Sequence, residues 1–183
     1  MRKRHRRGSL GFTLTELMVV IVVISVLSAI AYPSLRKQML VARGREGVSL
    51  MQAIAAAEEG FRAEHMVYLT TSPTGLNYPT TTPTSTQYHF RQPTHPDYAR
   101  WEVLAPELRS VTRHVFTVRA GLPGTTNAQF PAAPGTLSLP MPATAPSPWY
   151  VIYGSADLDD DAKLQYVGTS NLNPTLVTTD LGE

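Results

Sequence analysis

The chain has 183 residues, a formal net charge of +2 and no cysteine. This length is enough for one domain with a modest core, and the lack of cysteine excludes disulfides, thiolate metal sites and cysteine nucleophiles. Five of the sixteen lysine and arginine residues lie within residues 1–7, leaving eleven basic and fourteen acidic residues for the rest of the chain. A terminal basic cluster without interleaved aromatic residues argues against a nucleic-acid partner.

An apolar segment follows the basic cluster. Residues 17–35 contain no charged side chain, and a helix of this length crosses a hydrocarbon core of roughly 30 Å. The preceding cations place the amino terminus in the cytoplasm by the positive-inside rule. The sequence therefore predicts a single-pass inner-membrane precursor, embedded in lipid before any further assembly.

An ordinary secretory signal peptide is the alternative for this segment. Ala29, Ile30 and Ala31 have the small-x-small pattern of a signal-peptide cleavage site, and cleavage there leaves Tyr32 as the first residue. Glu16 disfavours this interpretation, because the junction before the apolar region of such signals is positive or neutral.

Glu16 is the residue that needs an explanation, since a carboxylate at the start of an apolar span is costly and usually functional. The stretch G-F-T-L-T-E-L-M-V-V from Gly11 to Val20, after a short basic leader, resembles the signature of type IV prepilins. This resemblance implies that a dedicated peptidase cleaves after Gly11 and methylates Phe12 as the new amino terminus. Glu16 is then the fifth residue of the mature chain.

The resemblance also implies roles for residues in the mature helix. The Glu16 carboxylate of one subunit pairs with the Phe12 ammonium of a neighbour during assembly; the alternative is a glutamate that stays at the membrane edge. Pro33 matches the family proline and favours a kink, because it removes a helical hydrogen bond. Ser25 departs from the usual family glycine, which makes the local unwinding seen in filaments of this family less expected here.

Apolar residues continue at helical spacing beyond Pro33, so we expect one long helix to about His65. Its apolar side should pack on a small antiparallel sheet, giving an α+β fold that fits the pilin-like lollipop architecture. Strands are predicted at residues 101–104, 111–120, 149–156 and 164–169. The helix is expected to pack in the core from Val48 to Phe61. The residues that show the helical spacing are Leu35, Met39, Ala42, Val48, Met51, Ile54, Ala55, Glu58 and Phe61.

This pattern divides the chain into three parts. Residues 1–11 form the basic prepilin leader, and residues 12–66 form the helix, of which 12–35 are the transmembrane or filament-core part. Residues 67–183 form the globular β domain. Its proline- and threonine-rich stretches, 70–96 and 122–148, are expected to be surface loops suited to subunit contacts.

An acidic stretch lies between the last two predicted strands. Asp157, Asp159 and Asp161 occupy positions one, three and five of a calcium-loop pattern. The pattern then fails, because Ala162 replaces the required glycine and Gly168 replaces the final glutamate. The stretch also resembles an acidic turn near the end of some pilins and pseudopilins. We favour a solvated hairpin turn and no cofactor, with a bound calcium ion as the alternative.

The remaining polar and aromatic residues point to structure rather than catalysis. The histidines are scattered and no nucleophile, zinc or phosphate-loop motif is present, so no enzyme activity is expected. His114 is expected on a strand surface. The aromatic residues of the last strands should pack across the sheet rather than form an adhesive surface; they are Trp149, Tyr150, Tyr153 and Tyr166.

The resemblance implies a structural subunit of a type IV pilus, because the A-I-A-Y-P-S stretch at residues 29–34 is similar to sequences of that branch. We expect a minor pilin. Expected partners are other pilin subunits, the prepilin peptidase and an inner-membrane assembly platform, and the expected location is an extracytoplasmic pilus. A pseudopilin of a type II secretion system, in a periplasmic pseudopilus, is the close alternative. A secreted calcium-binding module with an ordinary signal peptide is the remote one.

Overall fold

The computed structural model describes residues 12–179, and within them it has one long helix and two antiparallel sheets. In chain order, the last four strands form one sheet, and the first two strands form a separate pair. The expected α+β fold is confirmed. The elements are α1 (Leu14–His65), β1 (Tyr88–His89), α2 (Tyr98–Leu104), β2 (Val111–Thr112), β3 (Val115–Gly121), a 3-10 helix (Asn127–Gln129), β4 (Trp149–Ala156), β5 (Gln165–Ser170) and β6 (Val177–Thr179).

The chain divides into two compact units, and the division falls within α1. The first unit ends at Gln38 and the second begins at Met39. In its described residues the first unit consists of the apolar amino-terminal part of α1. The second unit contains the rest of α1, both sheets and the buried core.

The carboxyl-terminal part of α1 packs on one face of the four-stranded sheet. Met51 and Ile54 are fully buried against Phe116 and Val118 of β3 and other core residues, as expected from the sequence. Met39 is 45% exposed, whereas Leu40 and Leu50 are buried.

Gly44 and Gly47 complete the buried side of this helix. The ring of His114 occupies the position that a Cβ atom on Gly47 would take, so the glycine allows α1 to approach the sheet closely. The sequence prediction did not place these two glycines on the packing face. His114 itself is 1% exposed, so its expected surface position is wrong.

Two of the predicted strands are confirmed, at β4 with the predicted bounds and at β5 with a shift of one residue. The predicted strand 111–120 is interrupted between β2 and β3. The predicted strand at 101–104 is wrong, because Trp101 and Leu104 belong to helix α2 and are both buried. Their spacing of three places both on one side of a helix, and so short an apolar run fits either element.

The face of the sheet opposite α1 is covered by the proline-rich segment 122–148. Leu137, Leu139 and Ala145 of this segment are buried and form a second core with the outward side chains of β4. The segment is therefore more than a surface loop, contrary to the prediction. Trp149, Tyr150 and Tyr153 are 4 to 7% exposed, which confirms that they pack within the fold.

The other proline-rich segment, 70–96, lies along the outer edge of β3. Tyr78 and Phe116 exchange backbone hydrogen bonds of 2.8 and 2.6 Å, and the Ser72 N–H donates to the Val118 carbonyl at 3.2 Å. These bonds satisfy backbone groups that an edge strand would otherwise expose to further pairing.

Candidate assembly site: the amino-terminal helix

The first turn of α1 is closed by reciprocal hydrogen bonds between Thr13 and Glu16. The Thr13 N–H and hydroxyl donate to Oε2 of Glu16 at 2.9 and 2.7 Å, and the Glu16 N–H donates to the Thr13 hydroxyl oxygen at 3.2 Å. This is a capping box, in which two backbone donors that a helix start leaves unsatisfied find partners. The carboxylate of Glu16 is thereby held at the helix start, close to Phe12 in sequence.

Apolar side chains cover every side of the helix after this cap. Each large apolar residue from Phe12 to Met39 is between 45 and 83% exposed. The most apolar window of eighteen residues has a mean hydropathy of 2.5, and none of it is buried. A helix that is apolar all round requires lipid or other apolar helices as its surroundings.

The family model described as the prokaryotic N-terminal methylation motif matches residues 6–32 of the chain. The chain carries the amino-terminal motif of type IV pilin-like proteins. The match ends within the apolar part of α1, and no curated protein and no solved structure matches the chain. The motif and the exposed apolar helix are those of a membrane-anchored precursor that is processed by a prepilin peptidase and assembles with other pilin subunits.

The structure places three of the four residues assigned to processing and assembly in this protein. Phe12 is 83% exposed and directly precedes Thr13, and Glu16 lies in the first turn. Pro33 lies inside α1, where it cannot donate a hydrogen bond to the Ala29 carbonyl. Gly11 lies outside the described residues, so cleavage after it stays a prediction.

Helix α1 is continuous across the segment that is often unwound in filaments of this family. The Ser25 hydroxyl donates to the Ile21 carbonyl at 2.6 Å, which satisfies the hydroxyl within the helix. Serine also costs less free energy than glycine within a helix. The described subunit is therefore helical at this position.

The acidic turn, residues 157–161, lies in the connection between β4 and β5. One oxygen from each of Asp157, Asp159 and Asp161 lies within 4.8 Å of the others, a separation suited to a shared hard cation. The carboxylate of Asp157 accepts the N–H groups of Asp160 at 2.8 Å and Ala162 at 3.2 Å. These bonds stabilise the turn, and calcium binding by it stays a prediction.

Further contacts hold the acidic turn in place. The Lys163 N–H donates to Asp161 at 2.9 Å and holds the pKa of this carboxyl below its usual range. Arg43 of α1 donates to the Leu158 carbonyl at 2.8 Å, while Leu40 packs against Leu158. The turn is thus anchored to the second unit's part of α1.

Two titratable side chains are buried between α1 and its neighbours. Glu58 accepts the Leu69 N–H at 2.9 Å, but burial still raises the pKa of Glu58 to about 7. Burial lowers the pKa of His114 to about 4, although the Gln165 side chain beside the ring opposes this shift. Sequence reasoning treated Glu58 as part of a packing face and His114 as a surface residue, so it missed both groups.

The capping role of Thr13 was also missed. Its signal was present, because threonine three residues before glutamate at the start of an apolar run is the pattern of a capping box. The resemblance explained Glu16 by assembly alone. The structure adds a local role within the subunit.

Proposed function

We propose that this protein is a structural subunit of a type IV pilus, in the position of a minor pilin, and acts without catalytic chemistry of its own. Cleavage after Gly11 and methylation of Phe12 would release the leader. The observation that carries the proposal is the methylation motif on a helix whose large apolar side chains are exposed on every side.

The apolar part of α1 is the proposed assembly surface. In lipid, helices associate through close packing and polar contacts rather than through the hydrophobic effect, because lipid tails are as apolar as the side chains. Transfer of α1 from lipid to a filament core therefore changes its free energy little. Because this free-energy change is small, it is consistent with assembly by a membrane platform that extracts the subunit from lipid.

Glu16 supplies the polar contact in this proposal. Both hydrogen bonds from Thr13 end on Oε2, so neither engages Oε1. A carboxylate fixed at the helix start can meet the Phe12 ammonium of a neighbouring subunit. Pairing of two buried charges makes each tolerable, whereas an unpaired one is strongly destabilising.

In the proposed course of assembly, the protein is first a precursor in the inner membrane. Its amino terminus lies in the cytoplasm, and lipid surrounds residues 17–35. Prepilin peptidase and an assembly platform act on it in turn, and other pilin subunits become its neighbours. The mature protein then lies in an extracytoplasmic filament. The basic cluster in residues 1–7 and the exposed apolar helix support this course.

Mass spectrometry of filaments sheared from the cell surface tests the proposal. We expect the chain in these filaments, beginning at N-methylated Phe12, with an unrelated inner-membrane protein absent as the control for lysis. A first residue of Tyr32 would overturn prepilin processing. A chain that begins at Phe12, is absent from surface filaments and is required for protein secretion would overturn the pilus assignment and indicate a pseudopilin.

A further inference from the structure

Two adjacent cavities lie on the sheet face opposite α1, beneath the proline-rich segment 122–148. Their volumes are about 330 and about 470 Å³, and Arg119 of β3 and Pro131 line both. Each volume is in the range of small-molecule sites in proteins. We call the two cavities together the Arg119 cleft.

Arg119 supplies the charge of this cleft. Among the described residues it is the only charged side chain that lines either cavity, and its side chain is half-buried. No carboxylate within residues 12–179 forms an ion pair with it. A guanidinium has five N–H donors in a fork that matches a carboxylate in two parallel hydrogen bonds. Within residues 12–179 the cleft therefore has no anion of its own, and it favours one from outside.

The rest of the first cavity is polar but neutral, with flat apolar surfaces. Tyr153, Tyr166, Ser155 and Thr117 bring hydroxyl groups, and Pro131 and Pro134 bring ring surfaces. The Thr117 hydroxyl donates to Oδ1 of Asn77 at 2.9 Å, so it meets a ligand as an acceptor. The Tyr153 hydroxyl donates to the Pro131 carbonyl at 3.2 Å, which fixes the covering segment to the sheet. These walls suit a ligand that has both hydroxyl groups and apolar faces.

The second cavity has a rigid aromatic wall. The rings of Phe130 and Trp149 meet edge to face, with centroids 4.8 Å apart, and both residues line the cavity. Trp149 is 4% exposed and is buried in the second core. The cleft is thus formed by packed side chains on both sides of Arg119, which lowers the ordering cost of binding.

We propose that the Arg119 cleft binds an acidic saccharide, with the sugar carboxylate on the Arg119 guanidinium and the ring against the tyrosine and proline walls. The carboxylate satisfies the unpaired charge. The ring hydroxyls meet the neutral hydroxyl groups, and the C–H faces of the ring pack on the proline and aromatic surfaces. This binding activity is independent of filament assembly.

Titration of the full chain with D-glucuronate tests the proposal, with the protein in a detergent that has no sugar headgroup. Saturation-transfer NMR on the sugar protons reports binding. We expect saturable binding by the wild type, and at least about tenfold weaker binding by Arg119→Gln, since the charge-assisted bidentate pair is lost. Arg119→Lys should fall between them, because it keeps the charge and loses the fork.

Matched controls define the ligand and the site. Arg109→Gln removes an exposed arginine that does not line the cleft, and it should bind like the wild type. D-glucose and acetate should each bind at least about tenfold more weakly than D-glucuronate, because each lacks one half of the proposed ligand. Unfolding midpoints of all variants, followed by tryptophan fluorescence, identify any that misfold.

Three results would overturn the proposal. The first is that D-glucuronate shows no saturable binding to the wild type. The others are that correctly folded Arg119→Gln binds D-glucuronate as tightly as the wild type does, or that glucose or acetate binds the wild type as tightly as D-glucuronate does. Tighter binding of glucose 6-phosphate than of D-glucuronate would overturn the carboxylate assignment.

Discussion

Glu58 and His114 show how burial gives two single residues opposite effects on stability. The pKa of Glu58 rises from 4.5 to about 7, so the folded protein holds more protons than the unfolded chain between these pH values. The pKa of His114 falls from 6.5 to about 4, so the unfolded chain holds more protons between pH 4 and 6.5. Raising the pH therefore lowers stability through Glu58 and increases it through His114.

The two effects oppose each other between about pH 4.5 and 6.5, where we expect the free energy of unfolding to change little through them. In Glu58→Gln only the histidine effect remains, so stability should rise as the pH increases from about 4 to 6.5, by up to about 3 kcal/mol. Chemical unfolding of the full chain in detergent, followed by tryptophan fluorescence at several pH values, measures the slope.

His114→Asn is the matched counterpart for this prediction. It leaves the glutamate effect alone, so stability should fall as the pH rises from about 4.5 to 7, the reverse of the Glu58→Gln profile. If both variants have the wild-type slope, neither group has the shifted pKa that its burial indicates. The comparison uses slopes, so an overall loss of stability in either variant does not obscure it.

At the scale of elements, α1 contains two glycines in opposite situations. A Cβ on Gly47 would collide with the His114 ring, whereas a Cβ on Gly60 would meet nothing within 4 Å. Gly47→Ala should therefore destabilise the second unit by about 1 to 3 kcal/mol through overpacking. Gly60→Ala should stabilise it by up to about 1 kcal/mol, because alanine costs less than glycine in a helix.

Thermal unfolding of both variants, followed by circular dichroism and tryptophan fluorescence, measures these changes. The two substitutions are chemically identical and lie in the same helix, so helix propensity alone predicts that both stabilise. A stabilised Gly47→Ala variant would show that α1 does not need the close approach to His114. Equal melting temperatures for the two variants would contradict the same packing.

The sequence predicted those elements whose signal is local. Strand β4 has eight residues of mainly apolar and aromatic character, and in α1 the helical spacing of apolar residues repeats over many turns. Both elements were therefore predicted with accurate bounds. Helix α2 has seven residues, too short for its period to be distinguished from a strand. The same limit applies to sites. The Gly11 to Glu16 motif is contiguous, whereas the Arg119 cleft joins residues from separate parts of the chain.

At the scale of the whole molecule, Glu16 connects the fold of one subunit to its neighbour in the proposed filament. We expect Glu16→Ala to be processed normally and to enter filaments poorly or not at all, because the Phe12 ammonium of a neighbour loses its partner. Loss of one member of a buried pair typically costs about 3 to 5 kcal/mol, which is more than a hundredfold in an equilibrium constant. The ratio of filament-bound to membrane-bound chain, measured by quantitative immunoblotting, reports incorporation.

Two controls separate this pairing from other roles of the helix. Glu64→Ala removes an exposed carboxylate from the same helix and should enter filaments normally. Thr13→Val removes the hydroxyl of the capping box but keeps the Glu16 carboxylate, so it should cost about 1 kcal/mol of helix stability and leave incorporation largely intact. If Thr13→Val, with processing at Phe12 verified by mass spectrometry, is lost from filaments as completely as Glu16→Ala, the carboxylate acts through the cap and not through a neighbouring subunit.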